Sequence, residues 1–336
     1  MKNKKYISNQ VTPWDGNSTI TPLECFIMTK YKSDYAYKHK FLSESTDIVL
    51  LNSYKLTKCK FCNSDNIKAN GHYKSGIKRY YCNNCNKSFN VLTKTILDDH
   101  KLPISEWISF CLQLFNYSSI QLLSRTDKKS PTTINLWLHK VFYLLKHYQD
   151  KIVLDDYAII DETYYTVEKS EIIEIDGKRK RGLSKDKYCI AVGCSKGRTF
   201  AVIMGRGKPS KSKVLKTYAS HIQKGSLLIH DKEKSHNILV KTLNLIDRKY
   251  DSKELKKIKN EKDNPLYEVN HIHSLLKSFL KAHSGFDKKE LQDYINLFCF
   301  IMNEPKDKLE KVEILLDSAI SSDTKIKFRD FYALNS

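Results

Sequence analysis

An α/β domain preceded by two small modules is the architecture this sequence predicts, and three observations carry the prediction. Two CxxC pairs lie close together near residues 59–85; helical periodicity runs from about residue 103 to 148; from residue 152 onward, apolar strand-like runs alternate with helical ones. The resulting boundaries are 1–50, a region with no assigned role; 51–98, a ribbon; 99–150, a helical module; 151–303, the α/β domain; and 304–336, a tail.

Cys59-Lys-Phe-Cys62 and Cys82-Asn-Asn-Cys85 are separated by nineteen residues, and both sit among Asn, Lys and Ser. Four thiolates at this spacing predict a structural Zn²⁺ site held by Cys59, Cys62, Cys82 and Cys85, closed to substrate because all four positions are protein ligands. A redox CxxC is disfavoured because no βαβ pattern surrounds either pair. Between the knuckles, HYKSGIKRYY reads as a hairpin turning at Gly76, with Lys74, Lys78 and Arg79 facing outward as candidate DNA contacts. The other five cysteines lie scattered in apolar contexts, and the overall usage fits a reducing compartment.

Three helices follow: Ser105 to Phe115, Ser118 to Arg125 and Thr132 to about Tyr148. With a tight break at Asp127 to Pro131, they predict a helix-turn-helix whose last helix offers His139 and Lys140 to DNA; plain helical packing is the alternative.

The α/β domain begins with Tyr157 to Val167, then Tyr188 to Cys194 and Thr199 to Gly205 as strands. Helix Ser212 to Gln223, strand Ser226 to His230 and helix Ser235 to Leu245 complete an order β-β-β-α-β-α, which is the ribonuclease-H-like arrangement. Inserted in it are a charged loop at 168–187, whose Lys178, Arg179, Lys180 and Arg181 are candidate phosphate contacts, and a Lys-rich segment at 250–265. A helix opening at Asn270 and running to about His283, a helix from Asp287 to Met302 and a tail helix from Lys306 to Ile320 follow.

A carboxylate in an apolar strand asks for a cationic or hydrogen-bonding partner, so Asp161 in YAIIDETYY stands out. A second strand ends at Asp231, and two converging carboxylates are the start of a Mg²⁺ site. Glu162 and Glu233 are reserve carboxylates, and His230 and His236 read as supporting residues. Asn270, His273 and Lys277 share one helix face.

The formal charge of +20, from 58 Lys and Arg against 38 Asp and Glu, favours a polyanionic partner. The first twenty residues are polar and no apolar run approaches about eighteen residues, so the expectation is a cytoplasmic, nucleoid-associated protein without a membrane partner.

Taken together, RYYCNNCNKSFNVLTKTIL, KLPISEW, DETYY, GSLLIHDKEKSH, NHIHSLLK and DYINLFCFIMN resemble the zinc-ribbon DDE-type transposases of bacterial insertion sequences, the fifteen-ninety-five or ISXO-like group, in family order over residues 55 to 303. The resemblance implies cleavage of transposon-end DNA and joining of the freed 3′-hydroxyl to target DNA, with two Mg²⁺ or Mn²⁺ ions as catalytic cofactors. It also implies double-stranded DNA as partner and a homodimer or larger assembly on it. Asp161 and Asp231 match the first two acidic positions. His273 stands where many members carry Glu, Lys277 takes the family's Lys place, and Asn270 is expected to orient a phosphate or the nucleophile.

Overall fold

In a computed structural model, residues 47–98, 103–167, 174–175, 178–179 and 186–327 are described; Lys180 and Arg181 lie outside them, as does nearly all of the 1–50 region. The chain divides into two compact units after Ser105.

In the first unit, α1 (Asp47–Ser53) precedes a three-stranded antiparallel sheet in the order β1 (Ile67–His72), β2 (Lys78–Cys82), β3 (Ser88–Phe89). Gly76 turns the β1–β2 hairpin at φ +83°, in the left-handed region where a side chain is disfavoured. Each CxxC is followed by a left-handed Asn, Asn63 or Asn86, whose N–H closes a turn onto Cys59 or Cys82 O at 3.0 Å. The two knuckles therefore have the same backbone form. Tyr80, Cys82 and Phe89 supply the small core beneath them, with Cys59 also buried.

The second unit contains α2 (Ile104–Leu114, straddling the boundary), α3 (Ile120–Thr126) and α4 (Pro131–Leu145). Ser119 and Ser130 cap α3 and α4, and Pro131 opens α4 where its missing N–H costs nothing. β4 (Tyr157–Thr166) follows, then a hairpin of β5 (Glu174–Ile175) and β6 (Lys178–Arg179), then β7 (Lys187–Ser195) and β8 (Arg198–Arg206). α5 (Lys211–Tyr218), β9 (Leu227–Asp231), α6 (Asn237–Leu243) and β10 (Ile246–Tyr250) come next. After the short α7 (Ser252–Leu255), three longer helices end the unit: α8 (Tyr267–Ala282), α9 (Leu291–Met302) and α10 (Lys308–Ser321).

The main sheet has the order β10-β9-β4-β7-β8; β4, β7 and β8 are antiparallel neighbours, whereas β9 and β10 run parallel to β4. This is a mixed α/β sheet with the predicted element order plus one strand. The unpredicted β10 is a polar edge strand, IDRKY, exposed along most of its length, so it carries no apolar alternation to read.

Alternation along β4 splits its side chains between two faces. Ala158 and Ile160 join Phe200, Val214, Tyr218, Leu228, Leu239 and Leu243 in one apolar layer under α5 and α6. Ile159 and Asp161 lie on the opposite face, where His273 of α8 approaches Asp161. Edge strand β8 is covered by side-chain amides: Thr199, Ala201 and Ile203 donate their N–H groups to Asn303 Oδ1, Gln149 Oε1 and Gln292 Oε1 at 2.7, 2.7 and 2.8 Å.

The helical stretch expected to stand alone as a DNA reader belongs, from Glu106, to the same compact unit as the sheet. Phe142 of α4 packs edge-on to Tyr294 at 4.9 Å, and Gln149 bonds both Ala201 O and Asn296. The two residues predicted to face DNA are occupied within the unit: His139 Nε2 sits 2.7 Å from Glu290 Oε1, and Lys140 is buried, its pKa pushed down to about 8 by burial. Polar residue type suggested a surface; apolar neighbours on α9 turned that face inward.

Candidate metal and nucleic-acid site

β4 and β9 are parallel with a constant register, Tyr157 beside Leu227 through Ile159 beside Ile229, and Asp231 ends β9 with its Oδ1 3.8 Å from His236 Nδ1. The ladder between the two strands stops at Ile159 and Ile229, two residues short of the aspartates.

Asp161 Oδ2 lies 3.9 Å from His273 Nδ1, a distance that two ligands on one cation with bonds near 2.1 Å can span. Asp161 Oδ1 accepts the Glu162 N–H at 2.8 Å and Asp231 Oδ1 the Glu233 N–H at 3.0 Å, which pins both carboxylates against their own backbone. Burial, reinforced by the negative charges of Glu162 and Asp231, pushes the Asp161 carboxyl up to about 7. A carboxylate held in such surroundings gains strongly from a nearby dication. Burial and the neighbouring Lys277 hold His273 neutral, its pKa down to about 4, and its Nε2 is buried without a hydrogen-bond partner. A neutral ring is the form that ligates metal; the nitrogen without a partner is Nε2, whereas Nδ1 is the one that faces Asp161. Lys277 and Asn270 are exposed on the same helix.

The reserve carboxylates divide. Glu162 points to the opposite face of the sheet, where its Oε1 meets His236 Nε2 at 2.9 Å and the Tyr218 hydroxyl at 3.0 Å. Glu233 stays near the site's rim, 3.8 Å from Lys208 Nζ. His230, Asp231 and His236 offer ligand atoms within 4.8 Å of one another, yet all four ring nitrogens already hold hydrogen bonds or close polar contacts. Tyr218 and Asp247 were missed from sequence: Tyr218 is one apolar position on a helix, and Asp247 lies on the unread β10.

In the first unit the four cysteine sulfurs lie within 4.8 Å of one another, with Cys59 to Cys85 and Cys62 to Cys82 both at 3.6 Å. A tetrahedral Zn²⁺ with 2.3 Å bonds sets its sulfurs about 3.8 Å apart, so the donor set fits. Of the predicted basic contacts on this hairpin, Lys74 is exposed and Lys78 half-buried, while Arg79 folds back so that Nε donates to Asn70 O at 2.8 Å. Lys178 and Arg179 form β6 of the small hairpin.

No protein-family profile matches the chain, and no curated protein is similar to it. Among solved structures, the chain is similar to the mariner Mos1 paired end complex with Mg, at 12% identity over 62% of this chain and 75% of that one, TM-score 0.27. It is also similar to the catalytic domain of Mos1 mariner transposase, at 15% identity over 56% of this chain and 93% of that one, TM-score 0.24. A third likeness is to the Mos1 strand transfer complex, at 12% identity over 66% and 78%, TM-score 0.25. No helix among the described residues is long and apolar enough to cross a membrane.

Proposed function

We propose that the chain is an insertion-sequence transposase of DDE type on a ribonuclease-H-like sheet, cutting transposon-end DNA and joining the 3′-hydroxyl to a target. The observation that supports this reading is His273 Nδ1 3.9 Å from Asp161 Oδ2, on a strand whose parallel neighbour β9 ends at Asp231. Asp161, Asp231 and His273 would hold Mg²⁺ or Mn²⁺, and two such ions supply charge neutralisation on the attacking and leaving oxygens of an in-line phosphoryl displacement. Exposed Lys277 and Asn270 flank that position on α8 and would contact a phosphate or orient the attacking hydroxyl. The four-cysteine cluster would hold a structural Zn²⁺ that fixes the ribbon. A net charge of +20 supports a duplex DNA partner, and a dimer or larger assembly follows from the need to process two ends together.

The test uses the purified chain with Mn²⁺ and duplexes of the DNA that flanks its reading frame, where the proposal requires short inverted repeats. Nicking at the repeat boundary, lost in Asp161→Asn and in Asp231→Asn, is the expected result. Undiminished cleavage by either variant removes that aspartate from the site. His273, an imidazole where carboxylate suits Mg²⁺ better, favours a second reading as a DNA-binding relative without catalysis. In that case duplex binding persists while no divalent ion binds at the aspartates.

A further inference from the structure

Behind the aspartates, on the sheet's opposite face, an unbroken line of polar contacts crosses the fold. The Tyr218 hydroxyl donates to Glu162 Oε1 at 3.0 Å, and the same oxygen meets His236 Nε2 at 2.9 Å. His236 Nδ1 faces His230 Nδ1 at 3.0 Å, and His230 Nε2 reaches Asp247 Oδ1 at 3.0 Å. Lys249 Nζ closes the line on Asp247 Oδ2 at 3.0 Å. Both imidazole side chains are fully buried and that of Glu162 is 6% exposed.

Each of the four ring nitrogens on this line, and Glu162 Oε1 and Asp247 Oδ1, has a polar partner within it. A buried network with each of these contacts satisfied is rigid, whereas the loss of one member leaves an unpaired charge.

Its position is what gives it a role. Glu162 and His230 are the chain neighbours of Asp161 and Asp231, and the β4–β9 ladder has already ended at Ile159 and Ile229. Where backbone pairing no longer fixes the distance between the strands, the contact from Glu162 through His236 to His230 spans them instead. Asp247 and Tyr218 anchor its two ends on β10 and α5.

We propose that Tyr218, Glu162, His236, His230 and Asp247 form a buried positioning chain that sets the separation of Asp161 and Asp231, and that Glu162 is a positioning residue and not a metal ligand. The proposal rests on the metal-site reading above.

The test measures Mn²⁺ affinity of the full, zinc-loaded chain by calorimetry, with thermal unfolding of each variant to show that it is folded at the assay temperature. Loss of an outer partner of this kind weakens metal binding by about 10- to 100-fold, which is expected for Glu162→Ala. Tyr218→Phe, which removes one hydroxyl and leaves the packing, is expected to weaken it by about 2- to 10-fold. Glu162→Gln keeps an acceptor for Tyr218 and is expected to recover part of the loss. A purely structural role would lower the melting temperature without moving the affinity, so wild-type affinity in both Glu162→Ala and Tyr218→Phe overturns the positioning chain alone. Glu162→Gln as weak as Glu162→Ala, with Tyr218→Phe unchanged, makes Glu162 a ligand and also overturns it. A wild-type chain that binds no Mn²⁺, or an Asp161→Asn variant that binds it equally well, overturns the metal-site reading itself and the proposal with it.

Discussion

Replacing Asp161 with Asn is expected to stabilise the metal-free protein at alkaline pH. The Asp161 carboxyl is raised from 3.8 to about 7, first by burial and then by the charge of Glu162. At about 1.36 kcal/mol per pKa unit, the ionised form at pH 8 costs at most about 4 kcal/mol. The side chain is 26% exposed, and solvent screening brings the figure to about 1–3 kcal/mol. Asn keeps an Oδ1 to accept the Glu162 N–H, so little else is lost. Because the folded carboxyl holds its proton more tightly than the unfolded one, wild-type stability is greatest below the unfolded value of 3.8 and falls as pH rises through about 7. The gain from Asn therefore builds between about pH 4 and pH 7, is full above about pH 7, and at pH 5 is less than half of that. In melting temperature it amounts to about 3–10 °C at pH 8 with zinc retained and no Mg²⁺ or Mn²⁺ added. Scanning calorimetry at pH 5 and pH 8 measures it, and added Mn²⁺ is expected to raise wild type and not the variant. A variant no more stable than wild type at pH 8, or one equally stabilised at pH 5, refutes the reasoning.

Three further outcomes are expected. Cys59→Ser removes one of four sulfurs grouped within 4.8 Å, so it should lower zinc content from one ion per chain toward none and unfold the ribbon, read by elemental analysis and by thiol labelling of Cys82. At Gly193 of β7 an added Cβ would lie 2.4 Å from Phe200 Cε1, and Phe200 is held by stacking on His221 at 4.3 Å; Gly193→Ala should cost about 1–3 kcal/mol in denaturant unfolding. Lys311 is buried and donates to Phe300 O and Asn303 O at 2.5 and 2.6 Å; Lys311→Ala strands both carbonyls and should cost about 2–4 kcal/mol by the same measurement.

What the sequence disclosed and what it withheld follow one rule: local patterns were legible, and partners distant in the chain were not. The paired CxxC spacing located the sulfur cluster, and the apolar runs around Asp161 and Asp231 located two strands that pair in parallel. The tail helix was legible from its period, with Leu309, Val312, Leu315, Leu316 and Ala319 on its buried side. By contrast, His236 reaches Glu162 across 74 residues and His139 reaches Glu290 across 151, separations at which no spacing rule operates. Lys140 read as surface by its charge, and tertiary packing of its aliphatic stem buried it. Strand β10 was missed because an exposed polar edge has no periodic signature, and Asp247 was missed with it.

The three amides that occupy β8 have a bearing on assembly. A strand whose outward donors are already taken cannot recruit a second polypeptide by main-chain pairing, so that margin of the sheet is closed to runaway polymerisation. If two copies join by extending their sheets into one, the seam must form at the opposite margin, along β10, where exposed Arg248 brings like charges together and makes such a union weak unless a polyanion lies across it.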